Sequence, residues 1–517
     1  MPEKDRVEGK GKTAPRMKGF ALSLQKFRRF QASKVPALSR AKPHFSLPNA
    51  SKLAKLIRTN DVLFRGKILM SVYENVTAFL GRHGFSVEAY NVNTTIEGLL
   101  YDMKTGLAKG NECECPMAAA EDMIPTWGLP PAESPRNESV IVIDAGGTNF
   151  RSCLVTFDAN GTASISELEK TSMPGIEREL SKKEFFSAIA ANLDHLKNKA
   201  KRIGFCFSYA MKITPDSDGI VIGFSKEIKA SEVVGSLVGK NLSDALVERG
   251  WNRPEKITLL NDTTAALLAG ASNAIEGRAY SSYVGFILGT GMNAAYIDSD
   301  PVAKLEGLKD SAGRPAPKSQ IIVCESGKFN KLPRSEFDLE FDKTANTPGK
   351  YVMEKMCSGA YLGPVGLIAL KKAAEDGLFS EPVAAAIKAL PKLELKDMDQ
   401  FFYAPKKTST VLGAIAAKGT QQDADTIFVL LDHFVARSAK LAAAIISAAI
   451  IKSGAGKSAA LPVGVVCDGT TFYKTHNLKD RLIGYLNEVL INQRHIYFEI
   501  LTIDNDITLG TAVAGLS

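Results

Sequence analysis

An acid, two glycines and a run of donors follow one another in Asp144-Ala145-Gly146-Gly147-Thr148-Asn149-Phe150-Arg151. Glycines at a bend between strands let backbone N–H groups approach an anion. Thr148, Asn149 and Arg151 add donors of their own. Asp144 would repel a bare phosphate, so its natural partner is Mg²⁺ or a metal-bound water. The loop therefore suits a metal–polyphosphate, although a plain hairpin turned by glycines uses the same residues. Gly289-Thr290-Gly291 is a second bend of this kind, and Asp468-Gly469-Thr470 is a third glycine-centred turn. Asn261-Asp262-Thr263 puts a carboxylate where a helix is expected to begin. Acids are common there for structural reasons alone.

These residues need elements that hold them at strand ends. Val140-Ile141-Val142-Ile143 reads as a buried strand and Ser152 to Phe157 as its partner, with a third strand after the turn residues Asp158-Ala159-Asn160-Gly161. Ile203 to Phe207 runs into Ser208, Ile257 to Leu260 into Asn261, Ser282 to Leu288 into Gly289, and Val463 to Val466 towards Asp468. Helical spacing appears from Val62 to Leu80, from Ile96 to Met103, over 183–201, over about 427–452 and at 510–514, while 304–320 reads as a surface loop. Strands alternating with helices predict an α/β protein. The pattern of apolar strand, glycine–threonine bend and apolar strand occurs twice, which predicts a duplicated fold whose halves face one cleft.

The 517 residues allow two or more domains with full cores. Residues 1–50 hold 12 Lys or Arg against 3 acids, a surplus of 9 that leaves the other 467 residues at −1 of the total +8. The basic character thus belongs to a tail, predicted to be disordered over 1–55, and argues against nucleic-acid binding by the body. Phe20, Leu24 and Phe27 beside Lys26, Arg28 and Arg29 allow the tail weak contact with an anionic surface. No uninterrupted apolar run reads as long enough to cross a membrane. Seven scattered cysteines predict a reducing, cytoplasmic setting rather than a disulfide framework, and Cys113-x-Cys115 lacks the second ligand pair of a zinc site.

Two nucleotide motifs fail on inspection. Gly456-Lys457-Ser458 would need a glycine where Ile451 stands, and it follows a helix; Gly289-x-Gly291-x-x-Ala294 leads into a strand where a dinucleotide fingerprint opens a helix. Taken together, the ordered stretches resemble the hexokinase family, within the sugar-kinase, actin and Hsp70-like superfamily, from about Val62 to the C-terminus. Asp144 to Arg151 is similar to that family's first phosphate loop, Gly289-Thr290-Gly291 to its second, and Asp468-Gly469-Thr470 to its adenosine motif. Phe207-Ser208-Tyr209, Ser225-Lys226, Asn261-Asp262-Thr263, Asn293, Glu325 in Cys324-Glu325-Ser326-Gly327, and Glu354 in Glu354-Lys355-Met356 resemble its sugar site.

The resemblance implies a two-lobed, duplicated RNase H-like (actin-like ATPase) fold with a central cleft. The small lobe would comprise 128–260 with 509–517, and the large lobe 56–127 with 261–508. It implies ATP-dependent phosphorylation of a hexose, most simply glucose at its 6-hydroxyl, as the first step of glycolysis. Asp262 would be general base, with Lys226, Arg151 and Thr290 steadying the transferring phosphoryl group. Ser208, Ser225, Lys226, Asn261, Asp262, Asn293, Glu325 and Glu354 would hold the sugar. Asp144, Gly146, Gly147, Thr148, Asn149, Arg151, Gly289, Thr290, Gly291, Asp468, Gly469 and Thr470 would hold MgATP, the Mg²⁺ reaching Asp144 through water. A sugar sensor with little catalysis is the alternative, weakened by intact Asp262, Lys226 and Arg151. Ala210, Glu227-Ile228 and Thr347 depart from the family pattern beside the sugar loop and bear on sugar preference. Asp504 to Gly510 lacks the glycine-rich run usual near the adenine.

Overall fold

A computed structural model describes residues 71–109, 118–147, 149–224, 228–273 and 277–517. The basic tail, the start of the first predicted helix, the Cys113–Cys115 pair and the site candidates Thr148, Ser225 and Lys226 lie outside the described residues.

Two mixed sheets carry the architecture. The first has the spatial order Ala163–Ser172, Asn149–Phe157, Glu138–Gly146, Arg202–Phe207, Lys256–Leu260. The second has Gln320–Val323, Met292–Asp298, Ser282–Leu288, Val463–Asp468, Phe498–Leu501, with the short strand Ile124–Pro125 added outside Gln320–Val323. Numbered along the chain, both five-strand sets run 3-2-1-4-5. In both, the first three strands form an antiparallel meander and the fourth and fifth join parallel to the first. The repeat that the two glycine bends foreshadow is thus a repeat of whole sheets. The bends fall at the same place in each, between strands one and two.

In each set one helix follows strand five: Asp262–Ser272 after the first sheet and Asp506–Leu516 after the second. Each packs against the other's sheet. A Cβ on Gly285, in the second sheet, would meet the Thr263 carbonyl at 2.0 Å, and one on Gly204, in the first, would meet the Thr511 carbonyl at 2.2 Å. The helices also touch each other, where a Cβ on Gly510 would lie 1.8 Å from the Ala265 carbonyl. Three glycines therefore set how near the two sheets come.

The helices Val92–Gly106, Val352–Cys357, Gly359–Glu375 and Leu478–Leu486 pack against Gln421–Ser453, a 33-residue helix opened by a capping box of Thr420 and Asp423 and closed by Gly454 at φ 70°. By length and composition this helix could cross a membrane, against the reading that no segment could; 83% of its apolar stretch is buried inside the protein, as in a core helix. Its Arg437, fully buried, is matched by Asp338 at 2.8 Å and enclosed by the rings of Phe85, Tyr90 and Phe434. A buried charge is tolerated only with such pairing.

Candidate active site

The first glycine bend is a hairpin whose register places Asp144 opposite Arg151 and Gly146 opposite Asn149. Arg151 Nη1 donates to Asp144 Oδ2 at 3.2 Å, and Gly147 turns the chain at φ 64°. Asp144 also lies beside Cys206 on the parallel neighbour strand. Two residues on, the Ser208 N–H donates to the Ala145 carbonyl, and Tyr209 donates its hydroxyl proton to the Gly147 carbonyl. A Cβ on Gly146 would lie 3.5 Å from the Ser208 hydroxyl. The predicted phosphate loop and the predicted sugar serine are therefore immediate neighbours.

Asn261 and Asp262 follow the edge strand Lys256–Leu260. Asn261 is the N-cap of the next helix, its Oδ1 accepting from the Thr263 N–H at 3.0 Å and hydroxyl at 2.6 Å. Asp262 Oδ1 accepts from the same N–H at 2.9 Å. A helix N-terminus favours the ionised carboxylate, and the cap fixes its direction.

At the second bend, Gly289 and Gly291 close the pair Leu288 and Met292. Its carbonyls are tied back: Gly289 O accepts from Gly359 N at 2.9 Å and Thr471 Oγ1 at 2.9 Å, and Thr290 O from Ser358 Oγ at 2.8 Å. The Thr290 side chain stays exposed. Thr471 belongs to the third glycine turn, because Asp468 pairs with Ile287 on the adjacent strand. Gly469, at φ 116°, passes so near that a Cβ would meet the Leu288 carbonyl at 2.2 Å. Thr471 adjoins the stretch that resembles the family's adenosine motif, whereas Ser358 has no role in the sequence reading; its only signal is a small hydroxyl residue beside Gly359.

The sugar-side acids converge beside this bend. Asn293 Nδ2 donates to Glu325 Oε1 at 2.8 Å, and Glu354 Oε2 accepts from Met292 N at 3.0 Å. Glu354 also fills the space a side chain at Gly291 would need. Asn261 and Glu325 line one pocket with Thr126, Tyr209 and Met211, so the ends of both sheets contribute to it.

Electrostatics tie the groups into one constellation. Burial pushes the Asp144 carboxyl above the usual carboxylate range; Arg151 opposes this, while Asp262 and Asp468 add to it. Burial pushes Glu325 up to about 7, opposed by Lys328 and reinforced by Asp122, Asp262 and Glu354. Asp506, which the sequence reading did not select, is buried and pushed up to about 7, with Asp468 and Asp262 contributing. The available signal was an acid shortly before the predicted closing helix. Asp262 thus feels both Asp144, on the phosphate side, and Glu325, on the sugar side. Among the described residues selected from the sequence, Asn261 and Glu325 line that pocket, and Asp144, Asn261, Gly289 and Asp468 stand at strand ends.

Two family models, both for hexokinase, match residues 81–272 and 283–517. Hexokinase-9 of Oryza sativa is 30% identical over 389 residues, covering 69% of this chain and 72% of that protein. The chain belongs to the hexokinase family. Hexokinase-1 of Schizosaccharomyces pombe is 28% identical over 419 residues, covering 76% of this chain and 82% of that one. In structure, the hexokinase from Schistosoma mansoni complexed with glucose superposes with TM-score 0.70 at 22% identity, covering 87% of this chain and all of that one. A second hexokinase crystal structure gives TM-score 0.66 at 21% identity. These fix the fold as the two-lobed, actin-like one. The protein is an enzyme that phosphorylates a hexose with ATP as co-substrate.

Proposed function

We propose that the enzyme transfers the γ-phosphoryl group of MgATP to the 6-hydroxyl of glucose, the entry reaction of glycolysis, with Asp262 as general base. The observation that carries this reading is the position of Asp262: one carboxylate, fixed by a helix N-cap, within the electrostatic reach of both Asp144 and Glu325. A base must lie within hydrogen-bond reach of the attacking hydroxyl, beside its line of approach to the phosphate.

Hydroxyls of a hexose both donate and accept. Ionised Glu325 and Glu354 accept from them, Asn261, Asn293 and Ser208 can do either, and a wrong epimer leaves one of these buried groups unpaired. Ser225 and Lys226 complete the set. Arg151, Lys226 and Thr290 steady the charge on the transferring group. Gly146, Gly147, Thr148 and Asn149 offer donors to the phosphates from one side, and Gly289 and Gly291 from the other; Asp468, Gly469 and Thr470 hold the adenosine end.

Mg²⁺ suits the phosphate side. Asp262 and Asp468 disfavour the charges of both Asp144 and Asp506, which a divalent ion would relieve. An ion there would be held mainly by phosphate and water near Asp144. When bound, the ion neutralises the β- and γ-phosphate oxygens. The lobes that enclose the substrates are assigned to 128–260 with 509–517 and to 56–127 with 261–508, and their closure excludes water. The cytoplasm suits the five described cysteines, all buried and unpaired.

The test is turnover on glucose, mannose, fructose and galactose with ATP and Mg²⁺, with the site of phosphorylation read by NMR. Glucose 6-phosphate is the expected product. Phosphate on another hydroxyl, or no product from glucose, removes the reading; glucose binding without product would favour a sensor.

A further inference from the structure

The proposed sugar acid Glu325 stands at φ 57°, in the left-handed region, immediately before the one-turn helix Ser326–Lys328. A residue with a Cβ holds that conformation only where its surroundings compel it. On one side Asn293 grips it, donating to its carboxylate and accepting from the Ser326 N–H at 3.3 Å. On the other runs the segment 118–125. There Ile124 and Pro125 pair with Val323 and Ile322, and the Met123 N–H donates to the Cys324 carbonyl at 3.3 Å. The Asp122 carboxylate takes the Lys328 ammonium as its ion partner. Asp122 is itself anchored, its carbonyl accepting from Lys304 Nζ at 3.0 Å. Lys328 N donates to the Glu325 carbonyl at 3.0 Å, and its ammonium lies 5.6 Å from the centre of the Tyr351 ring.

We propose that Lys328, gripped by Asp122, is a positioning residue for Glu325: it locks the turn that aims this carboxylate at the sugar and sets a positive charge on that turn. The inference rests on Glu325 being a sugar ligand, as proposed above.

The groups that act on Glu325 come from four elements. Asp262 faces it from its helix and Glu354 from Val352–Cys357; Asp122 lies on the segment beneath, and Lys328 on its own turn. Tyr351 and Asn293 are the uncharged neighbours. Three of the four charges are negative, so with burial they favour the protonated acid, and Lys328 opposes them. Burial works against the Lys328 charge too, but Asp122, with Tyr351 and Glu325, more than offsets this and holds the ammonium above its ordinary value. Behind the turn, burial disfavours charge on both Cys324 and Glu121.

The sign follows. Ionised Glu325 accepts sugar hydroxyls with both oxygens and more strongly than the protonated acid does, so hexose affinity is full above its titration near pH 7 and falls as pH drops through it. Removing the positive charge of Lys328 raises that titration. Removing the negative charge of Asp122 lowers it. The experiment is glucose affinity, measured by calorimetry from acid to mildly alkaline pH, on wild type, Lys328→Met, Asp122→Asn, the double variant and Glu325→Gln. The acid limb should move up in Lys328→Met and down in Asp122→Asn, by on the order of half a unit to one unit each. It should return close to wild type in the double variant. In Lys328→Met, KM should rise several-fold near neutral pH while kcat at saturating glucose changes little. A merely structural defect would not move the limb in opposite directions. If Glu325→Gln removes the limb and the single variants leave it in place or move it the same way, the proposal fails. If Glu325→Gln keeps wild-type affinity and limb, Glu325 is not the sugar ligand and the underlying reading fails instead.

Discussion

Asp262→Asn should bind glucose with near-normal affinity and lose about three orders of magnitude in kcat, the middle of the range for removing a general base. The amide keeps the shape of the carboxylate and its Oδ1 can still accept from the Thr263 N–H, a bond of 2.9 Å in the native protein. The N-cap made by Asn261 does not involve the changed atoms. What disappears is the capacity to take a proton from the attacking hydroxyl. The loss should therefore fall on kcat and leave the sugar dissociation constant almost untouched, the pattern of an interaction made in the transition state. Calorimetry with glucose and a coupled assay separate the two. A kcat within about tenfold of wild type would strip Asp262 of its role.

Gly510→Ala should be the most disruptive added methyl among the described glycines. Its Cβ would lie 1.8 Å from the Ala265 carbonyl, backbone on the facing helix with no rotamer to yield. The helices Asp506–Leu516 and Asp262–Ser272 would have to separate, and each is also fixed to the opposite sheet through Gly204 and Gly285. Overpacking of this kind costs about 3 kcal/mol or more, visible as a fall of several degrees in the thermal midpoint. Because Asp262 begins the displaced helix, kcat should also drop, by roughly a hundredfold for a shift near 1 Å. Gly484→Ala is the matched control. That glycine sits in the helix Leu478–Leu486 with nothing within 4 Å of a Cβ, so the change should be neutral or stabilise slightly. Equal effects at the two positions would remove the packing argument.

The glycine bends, the Asn-Asp-Thr cap and the strands that carry them were legible because each depends on neighbours in the chain. β-branched runs, turn residues and cap chemistry act over a few positions, and a resemblance built from ordered motifs of that kind extends the reading to Asn293, Glu325 and Glu354. The helix boundaries were less legible. The stretch read as 427–452 is helical over Gln421–Ser453, because its polar first turn is set by the Thr420 cap rather than by apolar spacing. The closing helix likewise begins at Asp506, four residues before the apolar signal.

By itself, then, the sequence determined which local elements form, that the unit of strand, bend and strand occurs twice, and which side chains could handle a sugar, a phosphate and a proton. The tertiary structure decided that the two sheets share the order 3-2-1-4-5 and that their closing helices exchange sheets. It also decided that Asp506 joins Asp144, Asp262 and Asp468, and that Asp122 reaches Lys328 beneath Glu325. Periodicity says which face of a strand is apolar but not which strand lies beside it. The field at a carboxylate is a sum over groups far apart in the chain, so it exists only once the sheets are assembled.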